Sequence, residues 1–457
     1  MKKLIILYCI SAWVGLGACS VYKSYERPDM PVVDSLYRQA AATSADTTSI
    51  ASLSWRELFT DPKLQALIET GLQNNTDLNI ARLKVTEAEA TLMTSRLAYL
   101  PSISFEPSGT LRSVDGNAMT KSYDIAASAS WEVDIFGKLT NAKRGAKAAL
   151  EQSEAYRQAV QTQLIATIAN SYYSLLMLDA QLDISERTAA NWGENVRAMK
   201  ALKAAGDATE LAVAQSEASK LSVDASIASL RQQIDQMENT LTALLGIAPQ
   251  KIDRTTIGEQ RFPTELAAGV PLQLLQRRPD VRQSEAALAQ AFYATNVARA
   301  AFYPSITLSG SAGWTNAAGA AITNPGQWLF TAVGSLVQPL FNRGKNIANL
   351  RIAKAQQEEA LLSFRQSLLD AGTDVNNALI QWQTARQRQQ IDQQQILSLE
   401  STVRSSELLM QYSSQNYLEV LTARQTLLQA ELTAVSDRFD EIQGVINLYH
   451  ALGGGAE

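Results

Sequence analysis

The chain has 457 residues, of which 46% are hydrophobic, 19% charged and 7% aromatic. This composition excludes a disordered chain and a bundle of membrane helices. The formal net charge of −5, without a basic cluster, argues against a nucleic-acid partner.

The first residues have the pattern of an export signal. Two lysines at residues 2–3 precede an apolar segment at residues 4–16, and the sequence LGAC follows at residues 16–19. About 13 apolar residues are too few to span a bilayer. We therefore expect a signal peptide at residues 1–18. The LGAC ending resembles the bacterial lipobox, which implies that Cys19 becomes the first mature residue and carries covalent lipid. We expect no other cofactor.

An extended, lipidated N-terminal arm is expected at residues 19–60. Pro28, Pro31 and a Ser/Thr/Ala-rich run at residues 40–49 disfavour regular structure there. We expect the apolar residues of the segment 55–59 to dock the arm onto the body. Asp61-Pro62 predicts the start of the first helix.

The first repeat is predicted at residues 61–248. A helix ends before Pro101, and an alternating pattern then predicts a strand pair at about residues 101–136. No proline lies between Pro107 and Pro249, so a helix from about Lys138 to Ala204 can run for about 67 residues, or about 100 Å at 1.5 Å per residue. A turn at residues 205–209 predicts that this helix folds back as a hairpin, with Gly206 just past its end.

The second repeat copies the first at residues 279–449. Its helix ends before Pro304, its strand pair is predicted at about residues 304–341, and the motif Pro-Ser-Ile occurs at both 101–103 and 304–306. Apolar residues then recur every seven positions, which predicts coiled-coil packing. Residues 249–278 are expected to be a linker around the waist of the helical body, and residues 450–457 a flexible tail.

The predicted strands have one apolar and one polar face. In the clearest strand, apolar side chains from Tyr123 to Ile135 alternate with Ser, Asp and Glu. A half-buried sheet over a soluble core would show the same alternation. The acidic residues of the polar face suit a wet lumen, however, and Trp131, Trp314 and Trp328 suit a bilayer interface. Four membrane strands cannot close into a barrel, and an open edge in lipid is prohibitively costly, so a barrel would be shared among chains.

These residues together resemble the outer-membrane factor family of TolC-like channels, and in particular its lipidated OprM/NodT-type branch. The resemblance covers almost the whole mature chain. Its most specific motifs are Leu-Leu-x-Arg-Arg-Pro-Asp at residues 274–280, the paired Pro-Ser-Ile motifs, Tyr-Leu-Glu-Val-Leu at 417–421 and Ala-Leu-Gly-Gly-Gly at 451–455.

The resemblance implies a mainly α fold with membrane β. A homotrimer would share a 12-stranded β-barrel, four strands per chain, which continues into a long α-helical coiled-coil periplasmic tunnel. The protein would lie in the outer membrane, in contact with its lipid. It would be the exit duct of a tripartite pump, with a periplasmic adaptor (membrane fusion) protein and an inner-membrane RND-type transporter as partners. The cargo would be small toxic compounds.

The resemblance also implies a periplasmic gate. In OprM-like channels a Leu, an Asp and an Arg near the start of the last long helix narrow the entrance. The matching Leu is Leu418, the Asp position holds Thr422, and the Arg position holds Gln425, one residue after Arg424. We therefore expect Leu418, Thr422 and Arg424 at the gate, with an apolar constriction at Leu418. Leu418 as a plain coiled-coil core residue is the alternative.

The two hairpin tips are expected to contact the adaptor, and they contain Gly206, Asp207, Ser413 and Ser414. Alternatively, Gly206 only stops a helix. Two other functions stay open: the duct of a type I protein secretion system, and a lipid-anchored periplasmic coiled-coil scaffold without a pore. A single histidine, His450, and one mature cysteine provide no metal cluster and no catalytic triad, so we expect neither a metal site nor an enzyme. His450 is expected on the surface of the tail.

Overall fold

The computed structural model describes residues 22–29, 50, 53–113, 115, 119–262, 278–316, 326–412 and 417–455. Several predicted features lie outside these residues: the signal peptide, the lipidated Cys19, most of the arm, linker residues 263–277, and Ser413 and Ser414 at the second tip.

Eight helices are described, and their bounds follow the proline and glycine pattern of the sequence. They are α1 (Trp55–Leu58), α2 (Pro62–Asn74), α3 (Thr76–Leu97), α4 (Lys138–Ala205), α5 (Glu210–Leu244), α6 (Pro279–Ala300), α7 (Lys345–Tyr412) and α8 (Tyr417–Ala451). The predicted long helix is α4, with 68 residues, and α7 has the same length. Both helices occupy stretches without proline, where no backbone N–H is missing from the hydrogen-bond ladder.

The strands form one antiparallel sheet. They are β1 (Ser102–Phe105), β2 (Ser108–Arg112), β3 (Thr120–Val133), β4 (Ser305–Thr315) and β5 (Gln327–Val337). β1 and β2 both pair with β3, β3 pairs with β4, and β4 pairs with β5. The two predicted strand pairs are therefore present, and β3 and β4 join them into one sheet.

β1 and β2 occupy a single strand position that is interrupted at Pro107. Phe105 pairs with Ala127 and Ser108 with Asp124, so the register continues across the break. Pro107 has no N–H to donate, and it lies in a strand position at the edge of the sheet, where proline is tolerated. The chain thus contributes four strand positions, as predicted.

The chain divides into two compact units that cut across the two repeats. The first contains residues 1–30, 83–154 and 283–366, and it includes the sheet. The second contains residues 31–82, 155–282 and 367–457, and it is helical among its described residues. Each unit therefore takes segments from both repeats.

In the first unit, the described part of the N-terminal arm lies on α6. Residues 22–29 have no regular secondary structure. The ring of Tyr25 contacts that of Phe292 edge-to-face at a centroid distance of 5.8 Å, and Arg27 forms an ion pair with Glu285. Burial raises the pKa of Tyr25 to about 12. These contacts attach the extended chain to the helix surface.

The core of the second unit follows the predicted seven-residue pattern. On α7 the buried side chains are spaced alternately by three and four residues, and they are Leu368, Ala371, Val375, Ala378, Trp382 and Ala385. Where α8 crosses α7, a Cβ added to Gly444 would lie 2.9 Å from the backbone N and Cα of Trp382. Glycine is required there because the two backbones approach too closely for a side chain.

Asp61 organises the start of the helical body. Its carboxylate caps α2 by accepting from the Lys63 N–H at 2.9 Å, and it also accepts from Tyr172 Oη at 2.7 Å. Linker residues Thr255 and Gln260 donate to the same carboxylate. Burial raises the pKa of Asp61, but these hydrogen bonds lower it more, so the carboxylate stays charged. The described linker residues are thereby held against α2 and α4.

The C-terminal segment differs from the expected flexible tail. Residues 450 and 451 belong to α8, and Leu452, Gly453 and Gly455 are in turns, with Leu452 only 2% exposed. The carbonyl of Gly455 accepts from Gln161 Nε2 at 3.2 Å. The described part of this segment is packed because its small residues fit closely against α4 and α8.

Candidate channel wall and gate

In the register of the sheet, apolar side chains of neighbouring strands lie opposite one another and form rows on one face. Ile125 lies opposite Trp314, which lies opposite Trp328; Val133 lies opposite Ile306, which lies opposite Leu336. Cross-strand partners share a face, so these rows run across β3, β4 and β5. The side chains are open to the surroundings: Trp328 and Phe330 are 76% and 80% exposed. A water-exposed face of this kind is unusual, whereas lipid would solvate it.

The other face is lined by hydroxyl groups. Ser128 lies opposite Ser104 on one side and Ser311 on the other, and Ser311 lies opposite Thr331. The neighbouring row contains Ser102, Ser130 and Ser309 and ends at Val333 on β5. The acidic residues Asp124 and Glu132 belong to the same face, near the two ends of β3. A polar, neutral middle with acidic ends fits a water-filled lumen.

Both edges of this sheet lack a strand partner among the described residues. β1 and β2 form one edge, and β5 forms the other. Within the same residues, no helix combines the length and apolar character needed to cross a membrane.

The predicted gate residues lie in the first turns of α8. Leu418 is 59% exposed, so it does not belong to the core of the described chain. Thr422 is one turn later on the same face, and its hydroxyl donates to the Leu418 carbonyl at 2.9 Å. Gln425 continues this exposed stripe. The structure therefore brings Leu418 and Thr422 together.

Arg424 does not lie on the exposed face of α8 that carries Leu418, Thr422 and Gln425. Its guanidinium forms an ion pair with Glu407 on α7, with Nε 3.0 Å and Nη2 2.5 Å from the carboxylate oxygen Oε1. Its side chain is 25% exposed. Arg424 thus holds the two helices of the second hairpin together.

The first hairpin tip has the predicted helix stop. Gly206 has φ = 89°, its N–H donates to the Lys203 carbonyl at 3.0 Å, and the Asp207 N–H donates to the Leu202 carbonyl at 2.9 Å. This pair of bonds is a Schellman motif, which favours glycine at the left-handed position. Thr209 then caps α5 by accepting from the Ala212 N–H. Gly206 and Asp207 are exposed at the tip, where their contact with an adaptor remains a prediction.

The two hairpins are joined next to the predicted gate residues, through a contact that the sequence did not predict. Tyr417, the first residue of α8, packs with Met199 and Val213 from the first hairpin. Its hydroxyl is 2.5 Å from that of Ser216, which donates to Asn195 at 3.2 Å. Burial raises the pKa of Tyr417, so it stays a neutral hydrogen-bonding group. Tyr417 therefore connects the start of α8 to both helices of the first hairpin.

A buried pair of acids lies further along the second hairpin. Asp437 on α8 is 1% exposed and Asp392 on α7 is 8% exposed. Asp437 forms an ion pair with Arg388, which is also within 3.6 Å of Asp440. Burial raises the pKa of Asp437 to about 6, and hydrogen bonding to Asp392 acts in the same direction. Burial and the neighbouring carboxylate thus both favour the neutral form of Asp437.

Arg278 of the Arg-Arg-Pro-Asp motif holds three segments together. It is 4% exposed. Its guanidinium donates to both carboxylate oxygens of Asp280 at 3.0 and 2.7 Å, to Asp374 on α7 at 2.9 Å, and to the carbonyl of Ala451 at 3.0 Å. The start of α6, the middle of α7 and the end of α8 thus share one buried cation. The motif is explained by this junction rather than by chemistry at a site.

His450 lies beside this junction and not on a free tail surface. Burial lowers the pKa of His450, with the Arg278 charge acting in the same direction. Within the described residues, no group of three or more His, Cys, Asp or Glu side chains could hold a metal ion.

Comparison with known proteins agrees with this geometry. A model of the family described as "Outer membrane efflux protein" matches residues 67–247 and 270–454, two segments that overlap the two predicted repeats. The cation efflux system protein CusC of Escherichia coli O6:H1 is 30% identical over 456 residues, covering 98% of each chain. The toluene efflux pump outer membrane protein TtgC of Pseudomonas putida is 28% identical, covering all of this chain and 96% of its own.

Among solved structures, the open state of the MtrE outer membrane channel of Neisseria gonorrhoeae superposes with a TM-score of 0.86. It is 28% identical and covers 96% of this chain and 99% of its own. The predicted fold class, a mainly helical chain with membrane strands and two repeats, is confirmed. The predicted function and localisation are confirmed at the level of the family. The chain is a member of the outer membrane efflux protein family, a channel of the outer membrane.

Proposed function

We propose that this protein is the outer-membrane duct of a tripartite efflux pump for small toxic compounds. Three copies share a 12-stranded barrel, a periplasmic adaptor binds the hairpin tips, and an inner-membrane RND-type transporter supplies the energy. Lipid on Cys19 adds an anchor to the barrel, since acyl chains bury apolar carbon in the bilayer.

The observation that carries this proposal is the amphipathic sheet with two open edges. In hydrocarbon, each unpaired backbone group costs several kcal/mol, so a membrane sheet must close on itself. Four strand positions are too few to do so, because the smallest membrane barrels have about eight strands. Further copies of the chain provide the missing strands. A pore-free scaffold would not need such a sheet.

The middle of the polar face supports a duct with little selectivity of its own. Its central rows consist of serine and threonine with Val333 at one position, and these side chains neither repel cations nor exclude neutral organic molecules. The related proteins named above are described as efflux proteins for cations and for toluene. Both are similar to this chain to about the same degree, so the comparison favours neither cargo. We infer that the transporter, not this wall, selects the cargo.

Leu418 is proposed to close the periplasmic entrance. Its exposed side chain lies beside the hydroxyl of Thr422 at the start of α8, and a ring of three such leucines would exclude water by an apolar constriction. Arg424 acts only indirectly, because its ion pair with Glu407 holds α8 against α7.

Two experiments test the proposal. A strain that lacks this protein should become sensitive to toxic compounds, and the wild-type gene should restore resistance. In planar bilayers, Leu418→Ala should raise the closed-state conductance of the purified channel. Leu408→Ala is the matched control, because Leu408 is similarly exposed, at 57%, but lies on α7. An unchanged leak in Leu418→Ala would remove Leu418 from the gate, and a lack of conductance in every variant would refute the duct.

A further inference from the structure

A cavity of about 470 Å³ lies in the first unit, between the N-terminal arm, α6 and α7. The two helices are packed together, since Thr295 on α6 donates to the carbonyl of Ala353 on α7 at 3.1 Å. α6 leads into β4 and α7 follows β5, and these strands pair with each other inside the chain, so the cavity lies away from the open edges of the sheet. Its volume is within the usual range of ligand sites, about 300–1,000 Å³.

Part of the cavity lining is aromatic and apolar. Tyr25 from the arm and Phe292 from α6 contact each other edge-to-face there, and Leu288 and Leu361 also line it. The hydroxyl of Tyr25 is buried and has no hydrogen-bond partner among the described residues. Buried polar atoms are usually hydrogen-bonded, and a polar ligand in the cavity would supply a partner.

The charged side chains of the cavity are separated by sign along its length. Arg299 lies near the end of α6 that leads into β4, and Lys354 lies in the third turn of α7. Glu358 lies one turn beyond Lys354, about 6 Å further from the sheet at 1.5 Å per residue. Tyr303, whose ring stacks on that of Phe136 at 5.0 Å, lies at the same end of the sheet, and tyrosine is typical of a membrane interface. The basic end of the cavity therefore faces the membrane.

Glu26 belongs to the acidic end of the cavity. The arm that carries it runs along α6 away from the sheet. Tyr22 lies beside Gly137, between β3 and α4, where a Cβ added to the glycine would be 3.6 Å from Tyr22 Cδ2. Arg27, in contrast, forms its ion pair with Glu285 in the second turn of α6. Glu26 directly precedes Arg27, so it lies far from the basic end.

The first repeat has equivalent charges in a different setting. The Pro-Ser-Ile motifs and the glycines before α4 and α7 align the two repeats. The basic and acidic positions of the cavity then have equivalents of the same type, which are Arg96, Lys147 and Glu151. Lys147 and Glu151 form an ion pair with each other at 3.3 Å. Phe292 corresponds to Glu89, so its aromatic contribution to the cavity belongs to the second repeat alone.

We propose that this cavity binds the phosphoethanolamine head group of a phospholipid in the adjoining membrane leaflet. The phosphate lies on Arg299 and Lys354, and the ammonium lies on Glu358 and Glu26. In such a lipid the phosphate is nearer the hydrocarbon and the ammonium is further out. This is the order of the basic and acidic ends of the cavity.

The chemistry of the side chains fits this ligand. Side chains on a helix lean towards its N-terminus, so Lys354 leans towards the sheet and Arg299 away from it, and the two cations approach the same level. Arginine and lysine are the usual partners of phosphate, and a primary ammonium donates three hydrogen bonds. Lys354, Glu358 and Glu26 form no ion pair with the residues that the structure describes, so their charges are available to a ligand. A head group with a second negative charge would be repelled at the acidic end.

Native mass spectrometry of the full-length protein, released from mild detergent, tests the head group. The delipidated wild-type protein should retain added phosphatidylethanolamine about fivefold more than phosphatidylglycerol, which has the phosphate without the ammonium. Lys354→Ala should weaken the retention of both lipids about fivefold, as expected for the loss of one solvent-exposed ion pair. Glu358→Gln should weaken the retention of phosphatidylethanolamine alone, and it should thereby remove the preference.

Lys147→Ala and Glu151→Gln are the matched controls, because they make the same changes at the equivalent positions of the first repeat. All four side chains are exposed, so the variants should fold. The two controls should retain lipid as the wild type does. Equal losses in both repeats would overturn the site, and so would equal retention of the two lipids by the wild-type protein.

Soluble glycerophosphoethanolamine, the same head group without acyl chains, distinguishes the source of the ligand. Displacement of bound phosphatidylethanolamine by this probe in the wild type would support recognition of the head group. Binding of the probe by a protein that retains no phosphatidylethanolamine would overturn the lipid as ligand in favour of a free phosphodiester. Retention of the lipid that neither the probe nor Glu358→Gln changes would overturn recognition of the head group.

Discussion

Arg278 is the residue whose replacement should reveal most about how this chain is held together. Its buried guanidinium links the start of α6 to α7 and to the end of α8 through Asp280, Asp374 and the carbonyl of Ala451. Arg278→Ala removes the cation and leaves two carboxylates and a carbonyl without their donor.

The expected loss in the free energy of unfolding depends on how well water can hydrate the groups that lose their donor. Removing one partner of a buried ion pair typically costs about 3–5 kcal/mol. The side chains of Asp280 and Asp374 are 44% and 52% exposed, so water can replace part of the lost contact. We therefore expect the lower end, about 3 kcal/mol. Arg278→Lys keeps the charge but cannot form the bidentate contact, so about half of this loss is expected.

The melting temperature of the detergent-solubilised protein, followed by circular dichroism, measures the effect. On the scale of domains of 150–250 residues, about 3 kcal/mol corresponds to a decrease of roughly 6–12 °C. Arg282→Ala is the matched control, because Arg282 lies one turn later on α6 and is exposed, and the one side-chain hydrogen bond described for it goes to Gln158. Equal melting temperatures for Arg278→Ala and Arg282→Ala would refute the reasoning.

Three further replacements test other parts of the helical body. The raised pKa of Asp437 means that its neutral form is favoured in the folded state, so the stability it contributes is complete below pH about 4 and is lost as the pH rises through about 6. Asp437→Asn should flatten the fall in melting temperature between pH 5 and 7.5. Asp440→Asn removes only the smallest of the causes that raise this pKa, so it should flatten the fall less. Tyr417→Phe should cost about 1 kcal/mol and speed amide exchange in the first turns of α8, and unchanged exchange there would contradict its role as a connector. Gly444→Ala should destabilise by about 1–3 kcal/mol because the new Cβ meets the backbone of α7; Gly193→Ala, where the nearest atom is the end of a lysine side chain, should be neutral or stabilising, so equal losses in both variants would exclude the close approach as the cause.

Local patterns in the sequence determined most of the elements. Absence of proline predicted the long helix that the structure describes as Lys138–Ala205. The Pro-Ser-Ile motifs predicted both points at which a helix gives way to a strand, and Gly206 predicted a helix stop with φ > 0. These predictions were possible because each depends on the backbone chemistry of a few neighbouring residues.

The relative positions of the proposed gate residues, and the charged contacts, were predicted less completely. The positions of Leu418 and Thr422 on one exposed face of α8 follow from their spacing of four residues. That Arg424 leaves this face depends on Glu407, which is distant in sequence and lies on another helix. The same holds for Arg278, whose motif is visible in the sequence while two of its partners, Asp374 and Ala451, come from α7 and α8.

The sequence by itself determined that this chain has two repeats, long heptad-patterned helices and four amphipathic strand positions, because periodicity is a property of neighbouring residues. Only the tertiary structure decided that β3 pairs with β4, that Ser128 lies opposite Ser311, and that the two sheet edges are left without a partner among the described residues. A strand pattern with period two is unchanged by a shift of two residues, so it cannot choose its own register. Contacts beyond the strand pattern accompany the observed register of β3 and β4: the Asn316 side chain accepts from the Tyr123 N–H at 2.6 Å and donates to the Lys121 carbonyl at 3.2 Å.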